Sequence, residues 1–342
     1  MRLALMSALV MTATCFTPVH AEGVLNIYNW GNYTNPKLIE KFEKQFDVKV
    51  TMTDYDSNEG ALAKIKAGGH GFDVVVPSGG FVQAYIAEGL LMKSEPNSME
   101  NFRNVDPRWV DVDFDKGRHY TVPWHWGTNG LAVNTGVYNG DIGTLDIILN
   151  PPKELDGRIN VVPDMGTLLP MVAVAMGGQQ CTSDPAILKK VRDALVAAKP
   201  HWRSMEYGSI ESFANGDYDA ALFYNGASMR VRQANPKVKF ALPKSGFKIW
   251  MDNLAILADA QNVENAKLFM NFIMKPENAA LNSNFTRYSN GIVGSEAFMD
   301  KDMVSAPELT IPDDVKSAGF VEEGCSPEIM RLYSAIWTEL QQ

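Results

Sequence analysis

The sequence contains none of the short motifs that mark the common enzyme classes, and it is poor in histidine. It has no Gly-x-Ser-x-Gly, His-Glu-x-x-His, P-loop or dinucleotide-binding glycine pattern. Its five histidines are scattered along 342 residues, whereas a metal site needs ligands at a characteristic spacing. We therefore predict a binding protein with no catalytic residues, no metal and no cofactor.

The chain also lacks a long apolar run and an excess of positive charge. A transmembrane helix needs about 20 consecutive apolar residues, and no segment reaches that length. Lys and Arg number 31 against 40 Asp and Glu, which gives a formal net charge of -9. Nucleic acids and anionic membranes attract basic surfaces, so neither is expected as a partner.

The N-terminus has the three parts of a secretory signal peptide. Arg2 supplies positive charge, Leu3–Phe16 is a mostly apolar run, and Val19-His20-Ala21 is a small-x-small cleavage site. We expect a signal peptide over residues 1–21, cleaved near Ala21, and export to the periplasm. Roughly 320 residues then remain, enough for two domains.

The chain has only three cysteines. Cys15 lies within the predicted signal peptide, which leaves Cys181 and Cys325 in the mature protein. An oxidising compartment would allow these two to pair, but two cysteines so far apart do not show a disulfide. The sequence leaves their pairing open.

What the sequence does contain is an alternation of β-rich apolar runs and helical patterns. This alternation predicts an α/β fold with mainly parallel sheets. After a first strand that ends at Trp30, strands are predicted at 48–53, 72–76, 131–133, 158–162, 220–224, 238–241 and 253–257. A helix is predicted to begin at Pro36, and others at 61–67, 185–198, 263–274 and 327–340. The aromatic segment 120–130 is expected to cross between lobes.

Polar or aromatic residues stand just past the ends of four predicted strands. These residues are Trp30, Ser78, Asp164 and Tyr224. In open α/β sheets the ligand lies beyond the carboxyl ends of the strands. We therefore expect these side chains to line one crevice.

Two distant segments pair aromatic rings with polar groups. Trp30 and Tyr33 close the first strand, and Trp250 precedes Asp252 by two residues, so an extended chain points Trp250 and Asp252 to one side. Aromatic faces attract cations by about 0.5–2 kcal/mol, and a carboxylate holds an ammonium by a charge-assisted hydrogen bond. Together these residues predict a site for an organic amine.

Each of these features also has a purely structural alternative. Aromatic residues at strand ends often pack a core or a hinge. A carboxylate buried beside an indole is costly without a partner. For Asp252, and for Asp164, that partner is either an internal lysine or arginine or the amine of a ligand.

The chain resembles the periplasmic spermidine/putrescine-binding proteins, which are the solute receptors of polyamine importers of the ABC class. The resemblance covers nearly the whole mature chain. It is carried by Ile27-Tyr28-Asn29-Trp30-x-x-Tyr33, Asp56-Ser57-Asn58-Glu59, Phe72-Asp73-Val74-Val75-Val76-Pro77-Ser78, Pro243-Lys244, Trp250-Met251-Asp252 and Lys275-Pro276-Glu277.

The resemblance implies a two-lobed periplasmic binding protein of type II, a clamp with two crossing segments. The first lobe would comprise residues 22–130 and 253–300, and the second 131–252 and 301–342, with the cleft between them. The implied function is capture of a polyamine-type amine in the periplasm and delivery to the permease subunits of an ABC importer. We expect a monomer, since a clamp must open freely.

The resemblance also assigns roles within the cleft. Trp30, Tyr33, Trp250 and Tyr288 would enclose the methylene chain and ammonium groups of the ligand. Tyr224 stands where the family usually has a tryptophan, and Ser78 would offer a polar contact. Asp252 and Asp164 match the family's ammonium-binding carboxylates.

Four positions depart from the family pattern. Asn32 and Thr167 stand where relatives carry acidic residues, whereas Glu206 stands near a position with a small hydroxyl residue. Arg287 precedes Tyr288 where relatives have an uncharged residue. Because an ammonium without a countercharge costs several kcal/mol to desolvate, two ligands stay open. Either Glu206 compensates and the ligand is a short diamine or polyamine, or Arg287 meets the carboxylate of an amino-acid-like solute.

Two other functions also stay open at this point. One is an exported enzyme that acts on amines, which would release a product. The other is a receptor whose closed form docks on a membrane signalling protein instead of a permease. The sequence cannot separate these docking partners.

Overall fold

The computed structural model describes residues 23–207 and 210–342, so the predicted signal peptide and its cleavage site lie outside the described residues. The strands are β1 (Gly23–Trp30), β2 (Val48–Tyr55), β3 (Val74–Val75), β4 (Asp111–Val112), β5 (Asp115–Lys116), β6 (Thr121–Asn134), β7 (Ile159–Val161), β8 (Ala220–Tyr224), β9 (Val238–Ala241), β10 (Phe247–Ile256) and β11 (Gly319–Val321). The α-helices are α1 (Pro36–Phe46), α2 (Asn58–Lys66), α3 (Gly79–Ala87), α4 (Asp146–Leu149), α5 (Met165–Ala175), α6 (Pro185–Ala198), α7 (Ile210–Asn215), α8 (Asn225–Ala234), α9 (Val263–Ile273), α10 (Pro276–Thr286), α11 (Lys301–Val304) and α12 (Pro327–Gln341).

Local signals account for the start of α1. The side chain of Asn35 accepts a hydrogen bond from the backbone N–H of Lys37, and Pro36 occupies the first turn, where its missing N–H is not needed. Leu38 and Phe42 are buried on one face. The predicted helix beginning at Pro36 is confirmed.

Two long strands connect the two halves of the molecule. The strands run in the order β2-β1-β3-β10-β6-β8-β7, and β6 pairs with β10 at its start and with β8 and β9 at its end. The predicted crossing segment is thus confirmed as part of β6. The sheet is mixed rather than mainly parallel, because β6 and β10 run in opposite directions between the halves.

The apolar interior is divided into two main clusters, which define two lobes. One is built from side chains of β1, β3, α1 and α9, with the last part of β10. The other is built from β7, β8, α5, α6 and α12. The two-lobed α/β architecture therefore agrees with the fold class predicted from the sequence.

Helices begin directly after three of the predicted strand-end residues. Ser78 precedes α3, Asp164 precedes α5, and Tyr224 precedes α8. The sequence patterns did not predict these helices, because α3 and α5 are apolar on most sides and lack a polar face. Their first turns bring backbone N–H groups to the same edge of the sheet as the strand ends.

Three predicted strands differ markedly in extent from the observed ones. The strand predicted at 131–133 is only the end of β6, which begins at Thr121. The strand predicted at 72–76 contains only Val74–Val75 as regular structure, and the strand predicted at 253–257 extends back to Phe247. The missed start of β10 includes Trp250 and Asp252, so both lie on one regular strand. Among the described residues, no helix has the length and apolar character to cross a membrane.

A disulfide joins Cys181 to Cys325, which settles the pairing that the sequence left open. The bond closes a loop with a sequence separation of 144 residues. It connects the chain before α6 to the chain before α12, which pack in the core of the second lobe. Cross-linking such a long loop restricts the unfolded chain strongly.

Replacing both cysteines (Cys181→Ser with Cys325→Ser) should lower the free energy of unfolding by about 2–5 kcal/mol. Urea denaturation of both proteins measures the difference, and reductant should shift only the wild type. Ligand affinity should not change, since neither cysteine contacts the residues of the cleft. A wild-type midpoint that is insensitive to reductant would show that the bond contributes nothing.

Candidate functional site

The carboxylate of Asp252 is buried and held by two hydroxyl groups. The hydroxyl of Ser78 donates to Oδ1 at 2.6 Å, and the hydroxyl of Tyr33 donates to Oδ2 at 2.8 Å. The residue is only 7% exposed. Its contacts among the described residues include no cationic side chain, so its negative charge is not neutralised by direct pairing.

Burial raises the pKa of Asp252 to about 7, although the hydrogen bonds from Ser78 and Tyr33 oppose this shift. Glu322 raises the value further by repulsion, and Lys248 lowers it. A buried carboxyl group with this pKa is partly protonated at neutral pH. A cation placed beside it would favour the ionised form.

An internal lysine lies near this carboxylate but pairs elsewhere. Lys248 forms an ion pair with Glu322 at 2.9 Å, and its side chain is 5% exposed. Its ammonium also donates to the carbonyl oxygen of Gly166 at 3.3 Å. The structural alternative for Asp252, direct neutralisation by a lysine of the protein, is therefore not what the structure contains.

Three aromatic rings form a continuous row beside Asp252, which we call the ring row: Tyr224, Trp250 and Tyr288. The ring centroids of Tyr224 and Trp250 are 6.0 Å apart, and those of Trp250 and Tyr288 are 5.2 Å apart. Tyr33 joins the row through an edge contact with Tyr288 at 5.6 Å. Rings from β8, β10 and the segment after α10 thus meet in one place.

Two glycines make room for this row. Trp250 pairs with Gly127 on β6, and a Cβ at Gly127 would lie 2.5 Å from Cζ2 of Trp250. A Cβ at Gly226 would lie 2.5 Å from Cδ1 of Tyr288. A side chain at either position would displace a ring of the row.

Trp30 lies at the same sheet edge, and its direct ring contact is with Tyr55. The centroids are 4.6 Å apart, and the indole N–H donates to the carbonyl oxygen of Val76 at 3.0 Å. Burial and the charge of Asp252 raise the pKa of Tyr55. Trp30 therefore packs on Tyr55 and not on a ring of the ring row.

A second carboxylate, Asp164, lies at the Tyr224 end of the ring row. The hydroxyl of Thr167 donates to its Oδ2 at 2.6 Å, and the hydroxyl of Tyr224 donates to the same atom at 3.4 Å. Thr167 thus supplies no negative charge, but it fixes the orientation of the carboxylate that remains.

The structure places two of the departing residues outside the ring row. Glu206 is exposed, and its backbone is bonded to the side chain of Asn160. Its charge acts on Tyr218, which packs in a separate cluster of the second lobe. Arg287 pairs with Asp300 and Asp302 at 2.8 and 3.3 Å.

The third departing residue, Asn32, is exposed and lies beside Arg230, one of the two arginines of α8. The side-chain amide of Asn32 lies 3.1 and 3.2 Å from the two terminal nitrogens of Arg230, and with its oxygen assigned toward these two donors it accepts a hydrogen bond from each. Asn32 follows β1, which belongs to the first lobe, whereas α8 follows β8 in the second. The pair therefore connects the two lobes.

Sequence reasoning missed Tyr207, whose hydroxyl lies among the acidic groups of the cleft. Partial desolvation of the hydroxyl raises the pKa of Tyr207 to about 12, with further contributions from Asp252, Asp164 and Asp56. Its ring lies 6.3 Å from that of Tyr224, and 49% of the residue is exposed. In the sequence, only the adjacent acidic and aromatic residues Glu206 and Tyr207 could have indicated this position as part of the site.

The charges and rings of the cleft suit an organic cation. Buried carboxylates without direct cationic partners attract positive charge, and electron-rich ring faces add to this attraction. In residues 23–207 and 210–342, no three His, Cys, Asp or Glu side chains are grouped so that they could hold a metal ion.

Comparisons with known proteins agree with this geometry. The family model of bacterial extracellular solute-binding proteins matches residues 37–311. The putrescine-binding periplasmic protein SpuD of Pseudomonas aeruginosa is 29% identical, covering 93% of this chain and 92% of its own. The spermidine/putrescine-binding periplasmic protein of Escherichia coli is 31% identical, covering 75% of each chain.

A solved structure from Listeria monocytogenes, assigned to a spermidine/putrescine ABC transporter, superposes with a TM-score of 0.88 at 28% identity. The alignment covers 94% of this chain and 99% of that one. The predicted fold of a two-lobed periplasmic binding protein is thereby confirmed. The buried carboxylate, the ring row, the fold and the matched family model lead to one conclusion: the chain belongs to the bacterial extracellular solute-binding protein family.

Proposed function

We propose that the protein is a periplasmic receptor that captures a polyamine-type amine, similar to putrescine or spermidine, and delivers it to an ABC importer. The names of the relatives support the amine class and the periplasmic location. The observation that carries the proposal is the Asp252 carboxylate, which is buried beside Trp250 with hydroxyl groups as its direct partners. An ammonium group is the missing countercharge.

Capture would begin with the lobes apart. The methylene chain of the amine lies along the ring row, and its ammonium groups pair with Asp252 and Asp164. Asp252 is on the crossing strand β10 and Asp164 is at the start of α5 in the second lobe, so a ligand that contacts both favours the closed arrangement. No bond is made or broken, and the importer would bind the closed form.

The lobe boundaries proposed from the sequence are 22–130 with 253–300, and 131–252 with 301–342. The two apolar clusters support this division except at Trp250 and Met251, which pack with the first lobe. The first cluster draws on residues 25–124 and 250–292 and the second on 131–247 and 315–340. We propose a monomer that docks on permease subunits. Genes for an ATPase and two permeases beside this one would favour transport over signalling.

A thermal-shift screen tests the proposed class of ligand directly. Diamines, spermidine and ω-amino acids should include at least one compound that raises the melting temperature, because a ligand that binds only the native state stabilises it by an amount that grows with the logarithm of its concentration relative to Kd. Product analysis should detect no turnover. A flat response to the whole panel would contradict the proposal, and a released product would favour an exported enzyme.

Asp252→Asn should weaken amine binding more than tenfold and leave the fold intact. The substitution keeps the shape and removes the charge that pairs with the ammonium. Isothermal titration calorimetry measures the change, with Asp111→Asn on the exposed face of β4 as the matched control. Equal affinities for wild type and Asp252→Asn would exclude Asp252 from the site.

The same substitution should stabilise the protein without ligand. The pKa of Asp252 is raised from 3.8 to about 7, so the folded protein binds more protons than the unfolded chain between these values. Stability therefore falls as pH rises through this range. At about pH 8 the Asn variant should melt a few degrees higher than wild type, while at about pH 4 the difference should disappear.

Amine affinity should rise with pH as Asp252 loses its proton. Below its pKa of about 7, binding must displace that proton, so affinity should change by up to about tenfold per pH unit. Calorimetry in two buffers with different protonation enthalpies should detect proton release at neutral pH. A pH-independent affinity from about pH 5 to about pH 8 would show that Asp252 does not titrate with binding.

A further inference from the structure

Arg230 differs from the other arginines around it in its partners. Arg232 pairs with Glu308, and Arg287 pairs with Asp300 and Asp302. Arg230 forms no ion pair with the described carboxylates; its guanidinium donates to the amide oxygen of Asn32 and lies 6.0 Å from the ring of Phe285. Its positive charge is therefore not neutralised.

Arg230 lies at the end of the ring row opposite Asp164. The hydroxyl of Tyr224, at one end, bonds to Asp164. At the other end, Tyr288 contacts Tyr33 with ring centroids 5.6 Å apart, and Arg230 contacts Asn32, the residue next to Tyr33. Three charged groups therefore follow the row in order. The carboxylate of Asp164 lies beside Tyr224, that of Asp252 beside Trp250, and the guanidinium of Arg230 beyond Tyr288.

The backbone fixes this order. Tyr224 directly precedes α8, and Arg230 lies within the helix after its first turn. Tyr288 packs over Gly226 of the same turn, where a Cβ would lie 2.5 Å from its ring. Arg230 follows one turn later and reaches Asn32 of the other lobe, so it stands where the two lobes meet.

We propose that Arg230 is a specificity-determining residue that excludes ammonium groups from the Asn32 end of the cleft, so that the receptor selects a diamine over a triamine. This inference rests on the proposed amine receptor and narrows its ligand. Asp164 and Asp252 provide two sites for ammonium groups. A third ammonium that extended beyond Tyr288 would meet an unneutralised guanidinium.

Like charges this close repel strongly where water is partly excluded, and a charge without a countercharge adds the cost of its lost hydration. The amide of Asn32 cannot offset either effect, since it carries no charge and already accepts from Arg230. Thr167 likewise adds no carboxylate at the other end. The cleft therefore holds two ammonium groups more favourably than three.

The test compares putrescine (a diamine) with spermidine (a triamine) by calorimetry on wild type, Arg230→Gln and Asn32→Asp. Wild type should bind putrescine at least about tenfold more tightly than spermidine. Both variants should reduce this ratio about tenfold by strengthening spermidine, since one removes the positive charge and the other pairs it. Asn32 is exposed, and Asp accepts its left-handed backbone conformation (φ 56°).

Arg287→Gln is the matched control, because it removes a neighbouring positive charge that is already paired with Asp300 and Asp302. It should leave the ratio unchanged; an equal effect would assign the selectivity to net charge rather than to Arg230. Wild type binding both amines equally would overturn the inference and leave the proposed function standing. A second result would also overturn the inference: wild type prefers 4-aminobutanoate to putrescine, and Arg230→Gln abolishes this preference. Arg230 would then bind the carboxylate of the ligand. If no amine binds, the proposed function fails as well.

Discussion

A negative charge buried without a direct cationic partner is the constraint on which this cleft depends. Asp252 lies on β10, the strand that returns between the lobes, and is held by hydroxyl groups of Ser78 and Tyr33. These neutral donors fix the orientation of the carboxylate and cannot neutralise it. The raised pKa of Asp252 records the resulting cost, which an ammonium ligand would remove.

Such an arrangement lowers the stability of the free protein, and under the proposed function it would raise the affinity for an amine. A buried position is more stable with a neutral residue than with an unpaired charge, and Lys248 lowers the pKa of Asp252 without pairing with it directly. Instead Lys248 pairs with Glu322, so the charge of Asp252 stays available to a ligand. Functional sites commonly contain groups whose pKa is shifted in this way. Glycines at 127 and 226 leave room for the rings of Trp250 and Tyr288.

Much of this could be predicted from the sequence, because short patterns determine it. Asn35-Pro36 marks the start of α1, and the spacing of Trp250 and Asp252 places both on one side of a strand. The disulfide and the contact of Asn32 with Arg230 could not be predicted, because they depend on which distant segments meet. The helices α3 and α5 were missed for a local reason, since they are apolar on most sides. Arg287 was the basic residue considered beside the cleft, but surface carboxylates pair with it. Arg230, with no sequence signal, reaches the first lobe instead.

The most direct test of the central claim is a crystal structure of the protein with putrescine, grown above the pKa of Asp252. A ligand nitrogen should lie within about 3 Å of a carboxylate oxygen of Asp252, with the methylene chain against Trp250. A ligand bound elsewhere, or an Asp252 side chain turned onto Lys248 in the complex, would contradict the claim that this carboxylate is kept free for an amine.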